Sequence, residues 1–126
     1  MSVQCLIVDD NAQFLVAARD LLEREEISVV GVASTVAEAL RRFHELRPDV
    51  TLVDIGLGEE CGFELVRRLL ESARETRPAV ILISTYAEND FSEMIATSAA
   101  VAFLPKSGLS GSAIRSVLRA VGEGRG

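Results

Sequence analysis

Residues 50–58, with the sequence VTLVDIGLG, indicate the fold of this chain. The first four residues are apolar or β-branched, which predicts a buried strand that ends at the carboxylate of Asp54 and is followed by glycines. In an open sheet of parallel strands, ligands bind beyond the carboxyl ends of the strands. An aspartate at such a place is also a common turn residue, so the role of Asp54 depends on the ends of the other strands.

Four further apolar runs are candidate strands, at residues 3–8, 27–33, 79–84 and 101–104. Apolar residues recur at helical spacing after every strand, and Thr35 with Glu38 forms a capping box before the second helix. The fourth helix, which would begin near Asp90, has few large apolar residues. Five strands that alternate with five helices, without hairpin signals, predict a parallel sheet covered on both faces. We expect a doubly wound, flavodoxin-like α/β fold with the strand order 2-1-3-4-5.

Composition limits the classes of function. The 126-residue chain is 48% hydrophobic, which suits one domain with one core, and its net charge of −6 argues against binding nucleic acid by its own surface. Binding to DNA would need an output domain outside this chain. The N-terminal sequence has neither the basic region of a signal peptide nor an apolar run long enough to span a membrane. We therefore expect a cytoplasmic protein without a membrane partner.

The two cysteines and the C-terminal residues are predicted to have no part in the chemistry of the chain. Cys5 and Cys61 lack the spacing of a metal site or a disulfide framework, which predicts reduced thiols. The apolar pattern of the last helix ends at residue 121, and the glycine-rich residues 122–126 follow it. We expect one domain over residues 1–121 and a flexible tail or linker stub over residues 122–126.

Polar residues follow four of the predicted strands, at the same rim of the predicted sheet. They are Asp9 and Asp10 after the first strand, Asp54, Ser84 and Lys106. Three crowded carboxylates stay ionised most readily around a hard cation with oxygen ligands, and Mg²⁺ fits that description. A metal beside a carboxylate also neutralises an incoming phosphoryl group, so we expect Asp54 to be a nucleophile that forms an aspartyl phosphate. The Lys106 ammonium would pair with Asp54 or with a phosphoryl oxygen, and the Ser84 hydroxyl would bond another such oxygen.

Four motifs, in this order and at this spacing, resemble a receiver domain of two-component response regulators over essentially the whole chain. They are VDD at 8–10, LVD at 52–54 with a glycine at 62, ISTYA at 83–87 and FLPK at 103–106. The resemblance implies that the chain is a signalling phosphoacceptor and not an enzyme, apart from its own phosphorylation and dephosphorylation. The implied phosphodonor is a histidine kinase or a histidine phosphotransfer protein.

The resemblance also implies a metal site and a switch. The implied Mg²⁺ ligands are Asp9, Asp10, Asp54 and the backbone carbonyl of Gly56. After phosphorylation, Ser84 would move toward the phosphoryl group and Phe103 would fill the space that Ser84 and its loop leave. The FLPKS run at 103–107 is similar to receivers that carry a C-terminal helix-turn-helix domain of the LuxR type. Both a monomer and a homodimer formed on phosphorylation fit the family.

The chain departs from the common receiver pattern at several positions. Gly58 replaces a frequent proline, which predicts a more flexible loop. Ser107 replaces a proline that commonly makes a cis bond, and since a cis bond before serine would cost roughly 3 to 4 kcal/mol, we expect a trans bond. Thr85 stands where a smaller residue is usual and would narrow access to Asp54. Gly56 offers no side chain to hold a hydrolytic water. An alternative is therefore a degenerate receiver that acts as a phosphorylation-independent interaction module.

Two other classes share parts of this pattern. A phosphatase of the haloacid dehalogenase type needs a second acid two residues after its nucleophile, where this chain has Gly56. A flavodoxin-like electron carrier needs a first loop that binds phosphate, whereas Asp9 and Asp10 would repel it. His44 lies among charged residues of the second helix, so we expect a surface histidine and not a phosphorelay residue.

Overall fold

The computed structural model describes residues 3–72, 78–85 and 100–125, together with residues 93, 96 and 98. Strands and helices alternate over much of the described chain. In chain order they are β1 (Val3–Val8), α1 (Ala12–Arg24), β2 (Ile27–Ala33), α2 (Val36–Leu46), β3 (Val50–Asp54), β4 (Gly56–Leu57), β5 (Glu60–Cys61), α3 (Gly62–Ser72), β6 (Ala79–Ser84), β7 (Ala102–Pro105), a 3₁₀ turn (Lys106–Gly108) and α4 (Gly111–Arg125).

Five parallel strands form one sheet in the order β2-β1-β3-β6-β7. Since β6 and β7 are the fourth and fifth predicted strands, the predicted order and the doubly wound, flavodoxin-like fold are confirmed. Every residue of β3 and β6 is buried, as expected for central strands with helices on both faces. Pro105 lies on the edge strand β7, where a missing backbone donor is tolerated.

The two faces of the sheet carry separate hydrophobic cores. On one face, side chains of α2 and α3 such as Phe43 and Leu69 pack with Leu6 and Val53. On the other face, side chains of α1 and α4 pack with alternate residues of the same strands; this core includes Ile7, Leu22, Leu52, Ile81 and Ile114. Alternate strand residues point to opposite faces, so helices pack against the strands on both faces and fix the edge of the sheet that their carboxyl ends form.

The start of α2 confirms the predicted Thr35 cap, although Glu38 bonds the Ser34 N–H in place of the Thr35 N–H, and it adds a contact from a distant segment. The Thr35 hydroxyl accepts a hydrogen bond from the Glu38 N–H at 3.1 Å, and Glu38 accepts one from the Ser34 N–H at 2.9 Å. The Val36 N–H donates to the Glu60 carboxylate at 3.0 Å. The segment after Asp54 is therefore tied to the N-terminus of α2.

The expectation of a chain without hairpins is wrong in one place. Strands β4 and β5 form a short antiparallel ribbon in which Gly56 faces Cys61. Gly58 has a φ of +64°, and Glu59 is not among the described non-glycine residues with positive φ, a combination typical of a type II′ turn. The ribbon is too short to give an alternating pattern in the sequence. Gly58 therefore makes a defined turn, in a backbone region that the common proline could not adopt.

Two other expectations concern helices. Helix α4 continues to Arg125, so residues 122–125, which were expected in a flexible tail, are helical. Once a helix is formed, each added residue gains a backbone hydrogen bond at little cost, so a helix can outlast its apolar pattern. The predicted helix that would begin near Asp90 falls almost entirely outside the described residues. Among those residues, no helix combines the length and apolar character that a membrane crossing requires.

Candidate functional site

Three carboxylates meet at the rim of the sheet, as the sequence predicts. Asp9 directly follows β1 and Asp54 ends β3, and one oxygen from each of Asp9, Asp10 and Asp54 lies within 4.8 Å of the others. Asp9 is fully buried and Asp54 is 8% exposed, whereas Asp10 is exposed. The site is therefore an acidic cluster that is buried at Asp9 and Asp54 and exposed at Asp10.

Lys106, in the 3₁₀ turn after β7, contacts this acidic cluster. Its ammonium nitrogen lies 2.6 Å from Oδ2 of Asp9 and 3.5 Å from Oδ2 of Asp54. The pairing with Asp54 that the sequence predicts is present, but the shorter contact is with Asp9. Asp9 has no exposed surface, so an uncompensated charge there would be costlier than on Asp54.

Phe14 is a part of the site that the sequence analysis missed. Its ring lies beneath the Lys106 ammonium, with 4.3 Å between the nitrogen and the ring centroid. A cation at this distance over an aromatic face is attracted to the ring. The helical spacing of Phe14 predicted a core residue, and Phe14 does pack against the core. The position of Phe14 in the first turn of α1, close in sequence to Asp9 and Asp10, could have indicated that it also contacts the site.

The charge on Asp54 is balanced between opposing effects. Burial and, after it, the neighbouring Asp9 raise the pKa of the Asp54 carboxyl, Lys106 and the Gly56 N–H lower it, and the net result is a pKa of about 6 in place of 3.8. The Gly56 hydrogen bond to Oδ1 is long, at 3.4 Å. Asp54 is therefore mainly ionised at neutral pH but less readily than an ordinary aspartate, and a further cation would favour its ionised form.

The acids fit a hard divalent cation. Oδ1 of Asp9 accepts a hydrogen bond from the Asn11 N–H at 2.8 Å. Oδ2 of Asp9 is buried and, within the described part of the chain, accepts no hydrogen bond of normal geometry; Lys106 is its only recorded neighbour of opposite charge there. A buried carboxylate oxygen whose charge one lysine balances, beside two further carboxylates, suits the oxygen-only coordination of Mg²⁺.

The two predicted switch residues lie on the neighbouring strands β6 and β7. Ser84 ends β6 and is 3% exposed, and it lies opposite Pro105 of β7. Phe103 lies opposite Leu82 and packs, partly buried, against the core on the α2 and α3 face. Thr85 is exposed.

Two glycines after Asp54 have opposite surroundings. A β carbon on Gly62 would lie 2.1 Å from the backbone oxygen of Asp54, and the Gly62 N–H donates to the Ile55 carbonyl at 2.8 Å. Only glycine lets α3 begin so close to the phosphoacceptor strand. A β carbon on Gly56 would meet no atom within 4 Å. Gly56 therefore leaves open space beside the acids.

The structure confirms three smaller expectations, which concern one peptide bond, the two cysteines and His44. No peptide bond is cis among the described residues, so the expected trans bond between Lys106 and Ser107 is confirmed. Cys5 and Cys61 are free thiols, as predicted, and burial raises the pKa of the Cys5 thiol to about 12. His44 is exposed and contacts the edge of Phe43, as expected for a surface histidine.

Comparisons with known proteins point to one family. The family model described as the response regulator receiver domain matches residues 5–118. The DNA-binding transcriptional activator DevR/DosR of Mycobacterium tuberculosis is 35% identical over 89 residues, which cover 70% of this chain and 40% of the activator. The chain spans less than half the length of the curated relatives it matches.

Solved structures agree with the fold. The receiver domain of a modulated diguanylate cyclase from Desulfovibrio desulfuricans has a TM-score of 0.79 at 27% identity, covering 98% of this chain and 96% of that one. A LuxR-family response regulator from Aurantimonas has a TM-score of 0.82 at 22% identity, covering 95% of this chain and 87% of that one. The second similarity, at its lower identity, supports the fold alone.

Proposed function

Because the chain belongs to the response regulator receiver domain family, we propose that Asp54 is its phosphoacceptor and that the donor is the phosphohistidine of a histidine kinase or of a histidine phosphotransfer protein. The observation that carries the proposal is the convergence of Asp9, Asp54 and Lys106, which come from three strand ends and lie within ion-pair distance. A receiver that had lost phosphorylation would have no need to keep this costly buried arrangement. The alternative of a phosphorylation-independent module is therefore not favoured.

The transfer requires an ionised Asp54 carboxylate. One of its oxygens attacks phosphorus, a P–O bond forms, and the P–N bond to the donor imidazole breaks, with the electron pair going to nitrogen. A pKa of about 6 leaves Asp54 mainly ionised at neutral pH. The Lys106 ammonium, 3.5 Å from Asp54, is near enough to pair with a phosphoryl oxygen on this carboxylate. Beyond this transfer and the later hydrolysis of the aspartyl phosphate by water, we expect no catalysis by the domain.

Asp9, Asp10 and Asp54 would hold Mg²⁺, with the backbone carbonyl of Gly56 as a further ligand. The bound ion would neutralise charge on the phosphoryl oxygens during transfer. The proximity of the three carboxylates, one oxygen from each lying within 4.8 Å of the others, supports this ligand set.

Phosphorylation would shift the population of two conformations. Ser84 would bond a phosphoryl oxygen, and Phe103 would move toward the space that the loop after β6 leaves. The partly buried position of Phe103 beside β6 supports this role. The changed surface would include β7 and α4, and homodimerisation through it is one outcome that fits the family.

The output lies beyond this chain. A DNA-binding activator is among the relatives, and the match covers only 40% of its length. A helix-turn-helix output domain of the LuxR type would then bind DNA and regulate transcription, with the receiver as its switch. Such a protein would work in the cytoplasm, where histidine kinases present their phosphohistidines.

The direct test is to incubate the protein with Mg²⁺ and acetyl phosphate and to measure its intact mass. We expect one added phosphoryl group in the wild type and in Asp20→Asn, which alters an exposed acid of α1, and none in Asp54→Asn. A wild type that gains no phosphoryl group, or an Asp54→Asn variant that gains one equally, would refute the proposal.

A further inference from the structure

The Lys106 ammonium is held by groups from three different elements. Asp9 after β1 lies at 2.6 Å, Asp54 of β3 lies at 3.5 Å, and the centre of the Phe14 ring from α1 lies at 4.3 Å. Two of these neighbours carry charge. The third is the uncharged ring of Phe14.

A lysine in such a site needs positioning because its ammonium is a point charge on a flexible four-carbon stem. Lys106 begins a short 3₁₀ turn, and its bond to Ser107 is trans. Neither a proline nor a cis bond therefore restrains this segment after the lysine. Pro105 and the 3₁₀ turn restrain the backbone of Lys106, and contacts of the side chain itself then decide where the ammonium lies.

Phe14 is fixed relative to Asp9 by a short chain of hydrogen bonds. The Asn11 N–H donates to Oδ1 of Asp9 at 2.8 Å, and the Asn11 side chain accepts from the Phe14 N–H at 3.1 Å. The same turn thus sets both the acid and the ring. Because Phe14 is also packed against the core, its ring is a rigid surface on one side of the ammonium.

We propose that Phe14 is the positioning residue for Lys106: its ring holds the ammonium between Asp9 and Asp54, so that the charge meets the phosphoryl group on Asp54. This inference rests on the proposed phosphoacceptor function. The ring excludes water from one side of the ammonium and leaves the side toward Asp54 available. Without the ring, the lysine side chain occupies more rotamers, and fewer of them place the charge at the phosphorylation site.

The test compares Phe14→Leu and Phe14→Tyr with the wild type. Initial rates of phosphorylation are measured against acetyl phosphate concentration at saturating Mg²⁺, and affinity for beryllium trifluoride, a phosphoryl mimic, is measured by titration. We expect Phe14→Leu to lower both by about five- to tenfold, the range that loss of a partly buried cation–π contact implies. Phe14→Tyr keeps the ring and should stay within about twofold of the wild type.

A double-mutant cycle separates positioning from packing. In a Lys106→Met background, Phe14→Leu should cause no further loss of affinity for beryllium trifluoride, since the ring then has no ammonium to hold. Leu15→Ala is the matched control, because Leu15 packs against the same core from the same helix. It should lower the melting temperature without changing the affinity.

If Phe14→Leu does not fold, pentafluorophenylalanine at position 14 keeps the shape of the ring and reverses its electrostatic face. It should weaken binding of beryllium trifluoride as Phe14→Leu would. Wild-type affinity in the fluorinated protein, or an equal loss from Phe14→Leu with and without Lys106, would overturn the inference. Failure of the wild type itself to accept a phosphoryl group would instead overturn the proposed function.

Discussion

The ammonium nitrogen of Lys106 lies 2.6 Å from Oδ2 of Asp9. This oxygen is buried and accepts no hydrogen bond of normal geometry within the described residues. The lysine therefore balances the charge of Asp9, the acid that has no contact with water. We therefore expect the lysine to stabilise the metal-free fold and to compete with a bound metal ion for Asp9.

We expect Lys106→Met to lower the free energy of unfolding in EDTA by about 3 kcal/mol, because breaking a buried ion pair leaves its partner uncompensated. Mg²⁺ should then raise the melting temperature of the variant more than that of the wild type, because no ammonium competes for Asp9. Thermal unfolding with EDTA and with Mg²⁺ checks both effects. Arg24→Met is the control, since its pair with Asp20 is exposed. An equal Mg²⁺ response in Lys106→Met and wild type would contradict the competition.

The raised pKa of Asp54 predicts a pH dependence of stability. Its pKa is about 6 in the fold and 3.8 ordinarily, so between these values the native protein holds a proton that the unfolded chain has released. Stability from this group is fully present below about pH 4 and is lost as pH rises through about 6.

Asp54→Asn should therefore be more stable than the wild type by about 1 to 3 kcal/mol at pH 7.5 in EDTA, since one pKa unit corresponds to about 1.4 kcal/mol. The difference should disappear near pH 4. Urea unfolding across this range measures it, with Asp20→Asn as an exposed control. A stability difference independent of pH would show that the charge of Asp54 is not its cause.

Gly56 predicts a long-lived phosphoryl group. Gly56→Asn should fold normally because a β carbon at this position meets no atom within 4 Å. Its amide could hold the attacking water and shorten the phosphoryl half-life by about tenfold, a modest part of what positioning a reactant can supply. Decay of the phosphorylated protein, followed by intact mass, is the measurement. Gly56→Ala should decay as the wild type does, and an unchanged half-life in Gly56→Asn would contradict the prediction.

Gly62 should tolerate no side chain. A β carbon there would lie 2.1 Å from the backbone oxygen of Asp54, and neither backbone segment can move without disturbing the strand or the helix. Gly62→Ala should lower the free energy of unfolding by about 2 kcal/mol or more, and it should slow phosphorylation because Asp54 shifts. Urea unfolding beside Gly56→Ala provides the comparison. Equal stability of the two variants would mean that α3 can move away from β3.

Much of the site could be predicted because, in a parallel sheet, the position of a residue at a strand end also gives its place in space. Strand ends that follow a helical crossover all lie on one edge of the sheet. The positions of Asp9, Asp54 and Lys106 at the ends of apolar runs therefore predict that these residues lie together. The capping residues of α2 could be predicted for the same reason, since they act within four residues along the chain.

The sequence pattern alone thus predicts the alternation of strands and helices, the strand order and the acidic rim. Packing between distant segments is needed to show that Lys106 lies closer to Asp9 than to Asp54, that the Phe14 ring supports it, and that Gly58 turns a short ribbon. The pattern of apolar residues reports which side of an element is buried. It does not report which of two nearby carboxylates a flexible lysine meets, because packing between segments far apart in the chain sets that choice.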